Sequence, residues 1–285
     1  MTVFNVLVLS ENHSNGKLEG EFGLSLFVNF DGYKFLFDTG NSDLFIKTSR
    51  AFGIDIDDYV QNIVISHGHS DHTNGLKYLR KPKRIIIHPE AFKSRYSMRR
   101  DVYAGFPMSE QTLKAIHNVY KTKDTIEVTP NLWYLGEIPM TVDFEKGGNF
   151  ATTLDKAHTQ IDYTEDDSAV VASTTKGLII LVGCGHRGIC NIIEYAKKVT
   201  GQSQVYAVLG GFHLRNLDSN KAKINKTIEY FKENRIRNVY LGHCVTDDVI
   251  DYFEENLTSA KIFRLAVGKK FYMEKSTEEN MADKL

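Results

Sequence analysis

Three histidines and an aspartate fall within six residues in the stretch Ser66-His67-Gly68-His69-Ser70-Asp71-His72-Thr73-Asn74-Gly75-Leu76. Imidazole nitrogens suit Zn, Fe and Ni, whereas carboxylates suit harder ions. His67 and His69 lie two apart, so an extended chain would point their rings the same way. Asp71 and His72 are adjacent and would diverge, which leaves them for a second metal or a second role. The alternative is a polar loop with chance histidines. Four strong ligands packed this closely argue against it.

The residues before this stretch must position it. Asn62-Ile63-Val64-Ile65 is a short apolar, β-branched run that reads as a buried strand. The ligands therefore sit on the loop leaving a strand end, a common place for a site on an α/β scaffold. Other candidates repeat the pattern. Residues 3–9 read as a strand, and 24–29 with 33–37 as a hairpin turning at Asp31-Gly32. Asp38 closes that hairpin, where it would cap the helix expected over 42–52. Residues 84–87 read as a further strand. In the second half, strands are expected over 169–173, 178–182, 205–209 and 239–241. They lead into Gly183-Cys184-Gly185-His186, Gly210-Gly211-Phe212-His213 and Gly242-His243-Cys244. Ile189, Ile192, Ile193 and Ala196 recur at helical spacing, with Gly201 as a stop. A second helix is expected over about 219–233. Each histidine of interest thus follows a strand.

These motifs resemble the metallo-β-lactamase superfamily. His67 to His72 match its His-x-His-x-Asp-His signature, Asp38 stands in Phe-Asp-Thr-Gly like its first motif, and His243 stands like its last. Gly183-Cys184-Gly185-His186 and Gly210-Gly211-Phe212-His213-Leu214 resemble one branch, the 7,8-dihydropterin-6-methyl-4-(β-D-ribofuranosyl)aminobenzene-5'-phosphate synthase-like family. The resemblance spans about residues 3–270. It implies an α/β (α+β) fold, a four-layer αββα sandwich, with metal where the two halves meet. It implies one or two divalent cations, Zn first, with Fe or Mn as alternatives. The expected sets are His67, His69 and His186 for one cation and Asp71, His72 and His243 for the other, with a metal-bound hydroxide as the attacking group. Asp38 would orient a ligand without touching metal. Many members have Gly-Asp where this chain has Gly183-Cys184. Cys184 is therefore either a thiolate ligand or a small buried residue. His213 could ligate, move a proton or pack. Asp71 and His213 are the catalytic candidates. His158 is the upstream candidate for the superfamily's third-motif histidine, and His186 is the preferred substitute. His88 and His117 read as ordinary residues, and Cys190 and Cys244 as structural.

Bulk properties bound the function. The chain has 285 residues with 42% hydrophobic content, enough for a sizeable core, and no linker divides it, so a single domain over 1–285 is expected. A net charge of −1 and the lack of a recognisable nucleic-acid module disfavour nucleic-acid partners. Three cysteines do not make a disulfide framework and fit a reduced, cytoplasmic setting. No apolar run approaches the ~18 residues of a membrane helix, and residues 2–9 read as a strand and not a signal. Residues of about 90–130 break the rhythm. Lys81, Lys83, Arg84, Lys93, Arg95, Arg99 and Arg100 cluster here and just before. They read either as a solvated basic face or as a lid insertion whose Arg99 and Arg100 hold a phosphate. A metal-dependent hydrolase of a small anionic molecule is the leading expectation, and a transferase of the dihydropterin synthase type is the alternative. A diiron oxidoreductase is disfavoured, because such members carry Glu in place of His69. A degenerate binding module is disfavoured by the intact ligand set.

Overall fold

The computed structural model describes residues 3–146 and 151–272. In chain order its strands are β1 (Phe4–Ser10), β2 (Ser25–Phe30), β3 (Tyr33–Phe37), β4 (Asn62–Val64), β5 (Arg84–Ile87), β6 (Tyr96–Ser97), β7 (Asn118–Lys121), β8 (Ile126–Thr129), β9 (Leu132–Tyr134), β10 (Thr152–Thr153), β11 (Ala169–Thr174), β12 (Gly177–Val182), β13 (Val205–Gly210), β14 (Asn238–Leu241), β15 (Lys261–Arg264) and β16 (Lys270–Tyr272). The α-helices are α1 (Leu44–Ala51), α2 (Ile56–Tyr59), α3 (Ser70–Thr73), α4 (Glu110–Ile116), α5 (Ile189–Thr200), α6 (Leu217–Glu233) and α7 (Asp247–Asn256). None of the described helices is long and apolar enough to cross a membrane.

Two seven-stranded sheets carry the architecture, in the orders β16-β1-β2-β3-β4-β5-β7 and β15-β14-β13-β12-β11-β9-β8. Successive strand side chains point to opposite faces, and here both faces are apolar. Phe4, Val6 and Val8 of β1 meet Ile179 and Leu181 of β12 in the layer between the sheets. Leu7 and Leu9 point the other way, into the layer under α1 and α2. Leu178, Ile180 and Val182 face α5, α6 and α7, packing on Ile192, Ile228 and Phe253. The layers are therefore helix, sheet, sheet, helix: the expected αββα sandwich.

The parallel pairs matter most for function. β3 and β4 run parallel in the first sheet. β12, β13 and β14 run parallel in the second. Their C-terminal ends emerge on common edges, where α/β scaffolds place their ligands.

The segment after β5 is more integrated than an insertion over 90–130. β7 extends the first sheet beside β5, and β8 pairs with β9 in the second. These short edge strands carry few fully buried residues, so their sequence gives little signal. β6 and its surroundings stand outside the two large sheets, pairing with β10. Two cations of the basic cluster are also internal. Lys83 is buried and its Nζ donates to the carbonyls of Ile56, Asp57 and Val60 at 3.2, 2.7 and 2.7 Å, closing the end of α2. Arg95 is fully buried. Arg99 and Arg100 are exposed.

Candidate metal centre

The histidine-rich stretch leaves β4 in extended conformation and then turns into α3, with His69 at the N-cap (φ −69°, ψ 145°). His67 Nε2 and His69 Nδ1 face each other at 2.9 Å, as alternation in an extended chain requires. Asp71 and His72 do not diverge. They sit on the single turn of α3, where neighbours are about 100° apart instead of opposite. Both reach His243, with His72 Nε2 3.0 Å and Asp71 Oδ2 3.4 Å from its Nε2. His186 follows β12, and its ring centroid lies 5.0 Å from that of His67 and 4.8 Å from that of His69. Two groups thus gather their ligand atoms within 4.8 Å: His67, His69 and His186, and Asp71, His72 and His243. A third group, His67, His72 and Cys184, lies between them. Cys184 Sγ is 3.3 Å from His72 Nε2.

The hydrogen bonds fix which nitrogens face inward. Asp38 Oδ2 accepts from Ser66 Oγ at 2.7 Å and from His72 Nδ1 at 2.7 Å. Because the Ser66 hydroxyl proton is given to Asp38, Ser66 Oγ accepts from His67 Nδ1 at 2.9 Å. Thr152 Oγ1 likewise donates to Asp162 Oδ2 at 2.9 Å and accepts from His69 Nε2 at 3.0 Å. His67 Nε2, His69 Nδ1 and His72 Nε2 are left as the inward-facing nitrogens. Buried acceptors 2.9 Å apart repel each other unless a cation or proton lies between them. The set fits a divalent cation, since neutral imidazoles with fixed outer hydrogen bonds are what such ions bind.

Charge follows the same division. Burial pushes His67 well below the ordinary imidazole range, helped by His72 and His69, so it is neutral and ready to ligate. Burial also disfavours a charged His72, but Asp71 and Asp38 outweigh it and lift the ring to about 9. A proton and a cation therefore compete for His72 Nε2. Burial would raise Asp71, yet His72 and His243 hold its carboxyl well below the usual range.

Asp38 caps no helix, because α1 starts at Leu44 behind Asp43. Its φ of +59° turns the carboxylate off the end of β3 toward His72. His213 and His243 are also left-handed, at φ +49° and +53°. Such backbone costs roughly 1 kcal/mol per residue and recurs at functional sites. His213 follows β13, 4.5 Å from His186 between ring centroids, and burial holds it well below the ordinary imidazole range. A Cβ on Gly183 would lie 2.1 Å from Ser66 Oγ, so a glycine is required where β12 passes under the Asp38–Ser66 pair.

Several participants were not evident from sequence. Cys244 gathers with Cys184 and His243, and its Sγ accepts from His213 N at 3.1 Å. Burial raises its thiol, but Cys184, His243 and Arg215 pull it down to about 6. It therefore belongs to the site region and is more than a packed cysteine. All three cysteines are free. Glu11 is buried beneath His243 and accepts its backbone N–H, and Asn12 Oδ1 lies 3.4 Å from His243 Nδ1. Asp167 Oδ1 lies 3.9 Å from His67 Nδ1, and burial pushes its carboxyl up to about 8. The strand-end position of Glu11 after β1 was the one available signal for it. His158 lies apart, bonded to Thr153 Oγ1 at 2.8 Å. His88 and His117 are buried and accept backbone N–H groups.

Comparisons with known proteins bear on the family and the fold. Residues 18–195 match the metallo-beta-lactamase superfamily. The chain is 28% identical over 282 residues to the 7,8-dihydropterin-6-methyl-4-(beta-D-ribofuranosyl)-aminobenzene-5'-phosphate synthase of Methanocaldococcus jannaschii, covering 93% of this chain and 95% of that protein. An uncharacterized protein of the same organism is 30% identical over 236 residues, covering 80% of this chain and 85% of its own length. A solved metal-dependent hydrolase of the beta-lactamase superfamily is 30% identical with a TM-score of 0.80, over 94% of this chain and 98% of that one. Over half of the chain matches the family and its fold agrees throughout, and the protein belongs to the metallo-beta-lactamase superfamily.

Proposed function

We propose that the protein is a metal-dependent hydrolase of a small, phosphorylated or otherwise anionic molecule. The observation that carries this reading is the convergence of inward-facing imidazole nitrogens on two adjoining clusters at the meeting edge of the sheets. His67, His69 and His186 would hold one divalent cation, and Asp71, His72 and His243 a second, with Cys184 in reach of both. Such ions supply Lewis acidity that acidifies water and polarises the bond under attack. Zn suits this imidazole-rich set, and Fe or Mn are the alternatives.

The remaining roles belong to the chain itself. Asp38 keeps the proton of His72 on Nδ1 and so keeps Nε2 directed inward. His213, buried and neutral beside His186, would donate a ring N–H hydrogen bond to the leaving group, and Asp71, held as a carboxylate, would accept a hydrogen bond from the attacking water and orient it. Arg99 and Arg100 would hold the substrate's anionic group. Arg100 lies over the Phe22 ring at 4.9 Å, and Phe22 packs on His243 with centroids 5.5 Å apart. That stack puts a cation at the rim of the second cluster.

A non-hydrolytic transferase is the second reading, favoured by the similarity to the dihydropterin synthase along nearly the whole chain. One experiment separates them. The metal-loaded protein is offered a panel of phosphodiester, lactone and thioester substrates, and separately a dihydropterin with a ribofuranosyl-aminobenzene phosphate. Turnover of the panel in water supports the hydrolase. Condensation of the pterin pair without panel turnover supports the transferase.

A further inference from the structure

We propose that Arg95 is a positioning residue for the first histidine cluster. Through Asp162 and Asp166 its guanidinium fixes both the ring of His69 and the backbone at Gly68, and it thereby sets metal affinity at His67, His69 and His186. The inference rests on the reading of that cluster as a cation site.

Arg95 is fully buried and spends its donors on fixed partners. Nε donates to Asp162 Oδ2 at 2.7 Å and Nη2 to Asp166 Oδ1 at 2.5 Å. Nη1 and Nη2 reach the carbonyls of Ala91 and Glu90 at 3.1 and 3.4 Å. Each aspartate then hands the constraint on. Asp166 Oδ2 accepts the Gly68 N–H at 2.7 Å, between the two histidines. Asp162 Oδ2 takes the Thr152 hydroxyl, which takes the proton of His69 Nε2. That chain of bonds is why His69 presents Nδ1 to His67. The guanidinium also lies against the backbone of the metal loop. A Cβ on Gly68 would sit 2.0 Å from Ala91 O and 2.5 Å from Arg95 Nη1, so only glycine fits between the histidines. The segment is tied a second time, by Ser70 N to Ala104 O at 2.9 Å and Ala104 N to Arg95 O at 2.8 Å.

Buried ion pairs are poor devices for stability, because apolar replacements are often as stable. An Arg with two buried aspartates is better explained by orientation: a planar fork holds two carboxylates at set angles. The second cluster takes its orientation from Asp38 and lacks this link.

The test uses the full-length protein. Thr152→Val removes only the hydroxyl between His69 and Asp162, and Arg95→Lys keeps the charge but loses the fork. Zinc affinities at both clusters are measured by competition with a chromophoric chelator, with His69→Ala and His243→Ala assigning the steps. Histidine-ring ¹⁵N NMR of the metal-free protein reads the tautomer of His69. Both variants are expected to weaken the first cluster by about 10–100-fold, as loss of a ligand's supporting partner does. The second cluster should hold within about threefold. Thr152→Val should also move His69 from its Nε2–H form toward Nδ1–H. Unchanged affinity and tautomer in folded Thr152→Val, or equal losses at both clusters, would overturn the proposal. If Arg95→Lys does not fold, Thr152→Val decides. If wild-type protein binds no zinc at the first cluster, the cation reading fails, and the tautomer measurement alone judges the positioning of His69.

Discussion

The two clusters of the site are built on different chemistry. The first, His67, His69 and His186, is all imidazole; His69 is oriented by a hydroxyl and an ion network reaching into the β6–β10 region, and His67 by Ser66 on Asp38. The second, Asp71, His72 and His243, contains a carboxylate, and its orientation comes from Asp38 at the end of β3. In one, burial keeps His67 neutral. In the other, acidic neighbours make a ring basic enough to hold a proton. The difference teaches that the two halves share one support, Asp38, while the His69 side has a second of its own, so that side can be perturbed alone through Thr152 or Arg95.

The largest effect should come from His67→Ala, which removes a member of the first cluster and of the group joining it to the second. Metal analysis should show loss of the first cation at least, and kcat/KM should fall by about a thousandfold or more. Full metal content in this variant would break the division described above. Asp38→Asn comes next. The amide lacks the paired acceptor oxygens that take Ser66 N, Ser66 Oγ and His72 Nδ1. Affinity at the second cluster should fall about 10–100-fold, and the first should weaken by less, because His67 feels Asp38 only through Ser66. A buried donor left unsatisfied costs about 1–3 kcal/mol, so the melting temperature should fall as well. A loss confined to the first cluster would invert the assignment.

Arg99→Ala with Arg100→Ala should raise KM for phosphorylated substrates about tenfold, the effect of roughly 1.4 kcal/mol of lost charge-assisted bonding. Neutral substrates should be little affected, and equal changes for both would remove the anion role. The smallest effect concerns His13, which pairs with Glu11 beneath the second cluster. The hydrogen bond His13 donates to Glu11 outweighs burial and lifts His13 to about 8 from an ordinary 6.5. The folded-state value is raised, so the stabilisation is complete below about pH 6.5 and disappears as pH rises through about 8. His13→Gln should therefore lower the melting temperature at pH 6 and leave it unchanged at pH 9. A deficit that persists at pH 9 would mean that packing, not charge, sets the contribution.

Local signals made much of this readable from sequence. Ligands at strand ends, the Asp31-Gly32 hairpin and the alternation in β1 and β12 are set by neighbours in the chain, and so are the gathering of His67 with His69 and the place of Asp38. The supports are set by distance. Arg95 stands among cations that reach solvent, and its burial depends on Asp162 and Asp166, 67 and 71 residues later. Lys83 is hidden by carbonyls of α2 in the same way. Cys244 looks like packing until β13 and β14 bring it under His213. β7 and β8 lie inside the expected insertion without a sequence signal, because edge strands show little buried periodicity.

The central claim is that cations are held at two distinct clusters. It is tested most directly by anomalous scattering from crystals of the zinc-loaded protein. The account predicts two peaks, one enclosed by His67, His69 and His186 and one by Asp71, His72 and His243. No peak at either cluster, or zinc held by residues outside both, would contradict it.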